Sequence, residues 1–221
     1  FADVNCGLKD KPGGFAGAVL GSSSITWTWS DVSGETGYRA TDLSGNSLSG
    51  DLPADTTSWV ETGRTPNTLY SRRALAFSAG GPSQPSNSAT QTTLAAVPAG
   101  LQATAVTAQS ADLSWDANAN PAGTPYELSL STDGFAAHAS TPIAFASNYA
   151  ASTAAVSGLA ANTLYSFRVR ARNGAGLYGA YSGASDGIVI DGTRPGPPGL
   201  ASTTHPESSI PRPTAAAALQ A

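Results

Sequence analysis

The pentapeptide Asn-Thr-Leu-Tyr-Ser occurs twice in this chain, at residues 67–71 and 162–166. Each copy opens a run of alternating apolar residues that ends in a glycine-rich turn. The first turn is Ser78-Ala79-Gly80-Gly81-Pro82-Ser83 and the second is Asn173-Gly174-Ala175-Gly176. Each copy is also preceded by a tryptophan strand, Ser24-Ile25-Thr26-Trp27-Thr28-Trp29 and Ser110-Ala111-Asp112-Leu113-Ser114-Trp115. The tyrosine segments lie 95 residues apart and the tryptophan strands 86, so the second unit is longer between the two. A period of this length is a duplicated domain, because solenoid repeats run at roughly 20–50 residues.

Within each unit the pattern is that of half-buried strands. Ile25, Trp27 and Trp29 alternate with Thr and Ser, a period of two that sends all three side chains to one face. Turn signals at Asp31-Val32-Ser33-Gly34 and Leu43-Ser44-Gly45-Asn46 separate that strand from the next ones. Residues 1–14 end in Pro-Gly-Gly and read as an arm; Phe1, Val4 and Leu8 are its candidate contacts with a sheet edge. Residues 15–95 and 96–192 are the two domains. The junction Ala95-Ala96-Val97-Pro98-Ala99-Gly100-Leu101 is too short to act as a free tether, which predicts an end-to-end arrangement. A further unit begins to take shape after residue 193. Its continuation through Ser208-Ser209-Ile210-Pro211 into an alanine run carries no aromatic core, so residues 193–221 read as a tail or a truncated repeat. Ile210 and Leu219 are its candidate assembly contacts.

The repeat unit resembles a fibronectin type III domain. That family combines a second-strand tryptophan with a Leu-x-Pro/Ala-Asn-Thr-x-Tyr segment, alternating apolar positions and an Asn-x-x-Gly turn. Gly158-Leu159-Ala160-Ala161-Asn162-Thr163-Leu164-Tyr165, followed by Phe167, Val169, Ala171 and Asn173, fits this closely. The first unit departs at Arg72, which stands where the second has Phe167; the alternatives are a partly open face or a shifted register. The resemblance implies an all-β fold of two tandem immunoglobulin-like sandwiches, with the arm and tail extended. It implies core roles for Trp27, Trp29, Tyr70, Trp115 and Tyr165, and back-bonding hydroxyls (the tyrosine corner) for Tyr70 and Tyr165.

Composition excludes several functions. Charged residues make up 12% and the net charge is −4, with Lys9 and Lys11 the only lysines, so nothing supplies the clustered cations that nucleic acid requires. Arg168, Arg170 and Arg172 alternate along one strand, either as a solvated face or as a basic docking stripe. No apolar run reaches the ~18 residues of a membrane span. Cys6 is the only cysteine, so no disulfide forms within the chain; it is a free thiol or an intermolecular partner. A start at Phe1 fits a processed secreted protein or a fragment.

Catalytic constellations are missing. His138 and His205 lie in different units and neither has a second ligand at metal-binding spacing, so no metal or cofactor is expected. No phosphate-binding loop, dinucleotide fingerprint or nucleophile elbow occurs. Asp112 and Asp116 fall on an outer face. The segment Asp133–Ala155, rich in Ala and Ser and holding His138, Phe145 and Tyr149, is the second unit's special feature. Trp59, Tyr178 and Tyr181 are the aromatics that could stack on a sugar, although packing at the domain junction or an edge explains all three as well.

The first functional expectation is a non-enzymatic structural or adhesive module of an extracellular bacterial protein. It would assemble with copies of itself or other surface proteins through its arm and tail. The other is a spacer or carbohydrate-binding module of a secreted polysaccharide-degrading enzyme, with glycans as partners.

Overall fold

The computed structural model describes residues 9–192, and within them every regular element except one short turn is a β-strand. The first unit contains β1 (Ala16–Val19), β2 (Ile25–Thr28), β3 (Gly37–Thr41), β4 (Leu52–Pro53), β5 (Ser58–Glu61), β6 (Leu69–Ser78), β7 (Gly81–Pro82) and β8 (Ala89–Thr92). One sheet runs β1-β2-β5; the other runs β4-β3-β6-β7, with β8 also paired to β6. The second unit contains β9 (Ala99–Val106), β10 (Ser110–Asp116), β11 (Tyr126–Ser131), β12 (Ser140–Ile143), β13 (Thr153–Ser157), β14 (Thr163–Ala171) and β15 (Ile188–Ile190). Its sheets run β13-β10-β9 and β12-β11-β14-β15, the same plan, and every pairing in both units is antiparallel.

Two separate cores fill these sandwiches. The first is built on Ile25, Trp27, Trp29, Val32, Tyr38, Ala74 and Ala76, the second on Leu113, Trp115, Tyr126, Leu128, Tyr165, Phe167, Val169 and Ile190 among others, and no residue belongs to both. Aromatic stacking carries much of the first: Phe15 lies parallel to Trp27 at 5.6 Å, and Trp29 tilts against Tyr38 at 5.7 Å. Gly17 passes so close over the Trp27 ring that a Cβ there would lie 2.6 Å from Cζ3, so only glycine fits. The tyrosines of the repeated pentapeptide take matching positions. Tyr70 Oη accepts the Thr65 N–H at 3.0 Å, and Tyr165 Oη accepts the Ala160 N–H at 3.0 Å. Tyr165 is buried and Tyr70 only half-buried.

Arg72 does neither of the things its sequence position suggested. The register of β6 is unbroken, Arg72 points inward, and the face stays closed: Arg72 is 8% exposed. It survives there because Glu61, 2% exposed, reaches it from the opposite sheet. Arg72 Nη2 donates to Glu61 Oε1 at 2.6 Å, and Trp27 Nε1 donates to Glu61 Oε2 at 2.9 Å. A buried charge is tolerated only when paired and hydrogen-bonded, and here both conditions hold.

The last stretch of each sandwich contains a device that the strand pattern does not reveal. Residues 83–86 and 182–185 run beside β6 and β14 without forming a regular ladder. Serine hydroxyls stand in for carbonyls: Ser86 Oγ accepts the Ala74 N–H at 2.9 Å and Ser83 Oγ accepts the Ala76 N–H at 3.1 Å. Ser185 does the same for Phe167 at 3.0 Å and Ser182 for Val169 at 3.1 Å. The spacing Ser-x-x-Ser is the signal in both units.

The described part of the arm, from Lys9, packs on the first sandwich without becoming a strand. Pro12 is buried, and Gly13 accepts the Ser30 N–H at 2.8 Å. Phe1, Val4, Leu8, Ile210 and Leu219 lie outside the described residues.

Tyr38 makes the first sandwich sensitive to alkali. Its hydroxyl donates to Asp31 Oδ1 at 2.7 Å and accepts the Val32 N–H at 2.6 Å. Burial, and then the bond to Asp31, push the phenol's pKa well above its ordinary value. Above about pH 10 the unfolded chain therefore releases a proton that the folded chain retains. Stability from this source is complete below about pH 10 and falls as pH rises beyond it. Urea midpoints measured from pH 8 to 11.5 are expected to drop at the alkaline end, and Tyr38→Phe to flatten that drop. An unchanged slope in the variant would exclude Tyr38 as its source.

Candidate functional site

Four asparagines hold the two sandwiches together, and they make the junction the most specific polar construction among the described residues. Asn67, the first residue of the first pentapeptide, has φ of 45°, in the left-handed region that Asn tolerates better than most residues. This places its amide at the end of the first sandwich. Asn67 Nδ2 donates to Thr124 Oγ1 at 2.9 Å, and its Oδ1 accepts the Gly174 N–H at 2.7 Å. Asn173, 2% exposed, reaches back in the other direction. Its Nδ2 donates to the carbonyls of Thr92 and Thr93 at 3.3 and 3.0 Å, while its Oδ1 accepts the N–H groups of Ala175 and Leu177.

The connecting strand is gripped as well. Asn120 accepts the Ala96 N–H at 2.8 Å and donates to the Ala96 carbonyl at 2.9 Å, and Asn118 donates to the Val97 carbonyl at 2.8 Å. At Gly179 the backbone passes so near that an added Cβ would lie 3.3 Å from the Ala95 carbonyl oxygen. A linker residue held through both its N–H and its carbonyl cannot swivel without breaking both bonds, each worth about 1 kcal/mol net.

The second specific construction covers the outer face of β11 and β14. Arg168, Arg170 and Arg172 point out from the strand whose inward residues are Phe167, Val169 and Ala171, and aromatic rings alternate with them. Arg168 lies between Phe135 and Tyr181, its Cζ 4.1 and 3.9 Å from the ring centroids. Arg170 follows at 4.4 Å from Tyr181 and 5.0 Å from Tyr178. Tyr178 stacks on Phe145 at 5.1 Å, and Phe145 in turn faces Arg172 at 5.2 Å. Glu127 Oε1 accepts from Arg170 at 2.7 Å and from Tyr181 Oη at 2.6 Å, neutralising the middle guanidinium. Such contacts contribute about 0.5–2 kcal/mol each according to desolvation.

Comparison with known proteins bears on both constructions. The fibronectin type III domain family matches residues 96–187. The second sandwich is a fibronectin type III domain. The tandem fold is similar to a two-domain fibronectin type III segment of chicken tenascin, with a TM-score of 0.52, 18% identity, and 81% of this chain and 97% of that one covered. At that identity the likeness is one of fold. In sequence the chain is similar to chitinase A1 of Niallia circulans, 31% identical over 208 residues, and to exoglucanase B of Cellulomonas fimi, 32% identical over 219 residues. These alignments take in 87% and 90% of this chain but only 28% and 19% of the two relatives, so the chain corresponds to a minor part of each.

In the two sandwiches the predicted residues fall into distinct places. Trp27, Trp29, Trp115 and Tyr165 are buried. Trp59 lies on β5, opposite Trp27, half-buried against the first core. There it lines a shallow crevice with Leu48, Val60, Glu61, Thr62 and Arg64. Tyr178 and Tyr181 do not pack at the domain junction; they are two rungs of the arginine stack, although Tyr178 keeps 57% of its surface exposed. The arginines are accordingly neither a solvated face nor a bare basic stripe, because rings and Glu127 cover them.

The start of the Asp133–Ala155 segment is organised by one carboxylate. Asp133 accepts from Ser131 Oγ at 2.6 Å, from the His138 N–H, and shares a contact with the His138 ring at 2.9 Å. The Ser131 hydroxyl, then His138, hold its carboxyl well below the usual range, so it stays charged. Asp31, Glu35 and Asp55 bring one oxygen each within 4.8 Å of one another. Two of these are engaged already, by Tyr38 Oη and by the Asp55 N–H.

Tyr181 tests the stack. Replacement by alanine removes two guanidinium contacts and the phenol's hydrogen bonds with Glu127 and Ser129, an expected loss of about 2–3 kcal/mol. Amide exchange across residues 178–187 should accelerate in the same variant. Tyr181→Phe keeps the ring and should lose only about 1 kcal/mol. Equal losses from both variants would show that the hydroxyl, not the stacking, carries the effect.

Proposed function

We propose that this chain is a non-catalytic spacer that holds neighbouring parts of an extracellular polysaccharide-acting protein at a set distance and angle. The observation that carries this reading is the asparagine clamp at the junction. Asn67, Asn118, Asn120 and Asn173 cross between the sandwiches or onto the connecting strand, and a binding module has no need of such a joint. The similarity to minor parts of a chitinase and an exoglucanase supports the polysaccharide setting. The type III fold by itself does not, because one fold hosts many roles.

Spin labels on the outer faces of the two sandwiches of the full chain test the idea. A single narrow distance distribution is expected, and a broad or multiple one would sink the spacer reading. Co-sedimentation with insoluble chitin and cellulose separates the two roles: a spacer stays in the supernatant, whereas retention that depends on Trp59 or Tyr178 would favour a carbohydrate-binding module. The assembly reading rested on Phe1, Val4, Leu8, Ile210 and Leu219, and no observation among the described residues favours it.

A further inference from the structure

We infer that the outer end of the second sandwich carries a second copy of the joint that the first sandwich uses, centred on Asn162. It takes the N-terminal end of another fibronectin type III sandwich, one with an Asn-Gly turn like Asn173-Gly174. This deepens the spacer reading and rests on it for its function, but the joint itself stands on separate observations.

The first observation is the correspondence of Asn67 and Asn162. They begin the same pentapeptide, both adopt the left-handed conformation, with φ of 45° and 57°, and both donate a backbone N–H to the end of the sandwich's last segment, at Leu94 and Ile190. In both units the tyrosine three residues later is bonded back five residues, which fixes the position of this corner against its sheet. The chain thus builds the same amide at the same place twice. In the first copy the amide spans to Thr124 and Gly174 of the next sandwich. In the second, Oδ1 receives only a long contact, 3.4 Å, from the Gly192 N–H, and Nδ2 has no hydrogen-bond partner among the described residues.

The second observation is a recurring opening sequence. Each sandwich starts with Pro-x-Gly and a large apolar residue: Pro12-Gly13-Gly14-Phe15 and Pro98-Ala99-Gly100-Leu101. The glycines before the apolar residues share a φ of 60°. Beyond Asn162's end of the second sandwich the chain repeats this opening as Pro197-Pro198-Gly199-Leu200. The sequence that follows residue 192 thus carries the same opening as both sandwiches.

The third observation gives the joint a polarity. The receiving end of the second sandwich uses Asn120 and Asn173. The equivalent places in the first sandwich, five residues after Trp29 and eleven after Asn67, hold Gly34 and Ser78, and Lys9 Nζ approaches that end to bond the Ser33 carbonyl at 3.3 Å. Among the described residues, the outer end of the first sandwich therefore lacks both asparagines that grip the incoming chain at the existing joint, Asn120 on Ala96 and Asn173 on Thr92 and Thr93. A second copy of this chain is not the occupant, and the joint extends the protein in one direction only.

A three-sandwich chain tests this, made by joining residues 1–190 directly to a second copy of residues 95–192, which brings its own complete core. Spin labels in adjacent sandwiches read each joint separately. The expected result is two narrow distance distributions, with Asn162→Ala broadening only the second joint and Asn67→Ala only the first. A broad second joint that Asn162→Ala leaves unchanged, beside a narrow first one, would overturn the inference. If both joints are broad, the spacer reading fails with it. Sedimentation velocity of the unaltered chain supplies the check on polarity: monomer is expected, and a head-to-tail dimer abolished by Asn162→Ala would overturn the choice of occupant.

Discussion

Replacing Arg72 with methionine alone is expected to destabilise the first sandwich by about 3–5 kcal/mol, because it leaves the Glu61 carboxylate buried without its counter-ion. The pair is enclosed: Arg72 gives Glu61 bonds from Nε as well as Nη2, and Arg64 adds a looser contact at 3.4 Å. The second sandwich shows that the fold does not need the charges. At the places of Trp27, Glu61 and Arg72 it holds Leu113, Val156 and Phe167, all buried and all in its core. Importing the whole set, Trp27→Leu with Glu61→Val and Arg72→Phe, removes both charges and the indole that bonds to them. That variant leaves no charge buried without a partner, so it is expected to lose less than Arg72→Met, its remaining loss being the space and the Phe15 stacking given up at Trp27. Calorimetry reads both variants. A loss below about 1 kcal/mol for Arg72→Met would mean that water or Arg64 reaches Glu61 easily, and the enclosed-pair account would be wrong.

The second large effect is expected at Asn173. Its amide makes four hydrogen bonds, two of them to the other sandwich, and Asn173→Ala strands several buried backbone groups at once. With each such group costing about 1–3 kcal/mol, the variant should lose roughly 3 kcal/mol or more. The loss should fall on the coupling between sandwiches as well as on the second one. The parent should unfold in one transition, and Asn173→Ala in two, with the second sandwich melting first. Asn67→Ala, which spares the turn itself, should split the transition with a smaller drop in midpoint. Two transitions already present in the parent would show that the asparagines do not couple the units.

Much of this architecture can be read from the chain because two signals agree. Period-two alternation marks the strands, and the repeated tryptophan and tyrosine segments set the sheets that enclose them. What escaped the pattern were partnerships across space. Nothing near Arg72 in sequence names Glu61 as its partner. The inward phase of Glu61 beside Trp59 on β5 was the available hint, since alternation puts it beneath the sheet. The arginine stack was half visible: the strand spacing of Arg168, Arg170 and Arg172 predicts one face, but the rings that cover it come from residues 135, 145, 178 and 181. The joint was hidden for a different reason. Asparagine in a turn normally satisfies its own backbone, so Asn67 and Asn173 look like ordinary turn residues until the two ends are brought together. Their signal was the repetition of Asn67 as Asn162.

The serine rungs have a consequence for life in a tandem array. Neighbouring sandwiches of similar sequence meet at effective concentrations approaching millimolar, where an unprotected sheet edge invites pairing with the wrong unit. Residues 83–86 and 182–185 border such edges, yet each offers little to a foreign strand. Ser83, Ser86 and Ser182 also donate to the following carbonyl, at Gln84, Asn87 and Gly183, so those acceptors are already engaged. A string of hydroxyls has taken the place of the flat ladder from which misfolded aggregates grow, leaving a chain that can be lengthened by repetition without becoming sticky along its flank.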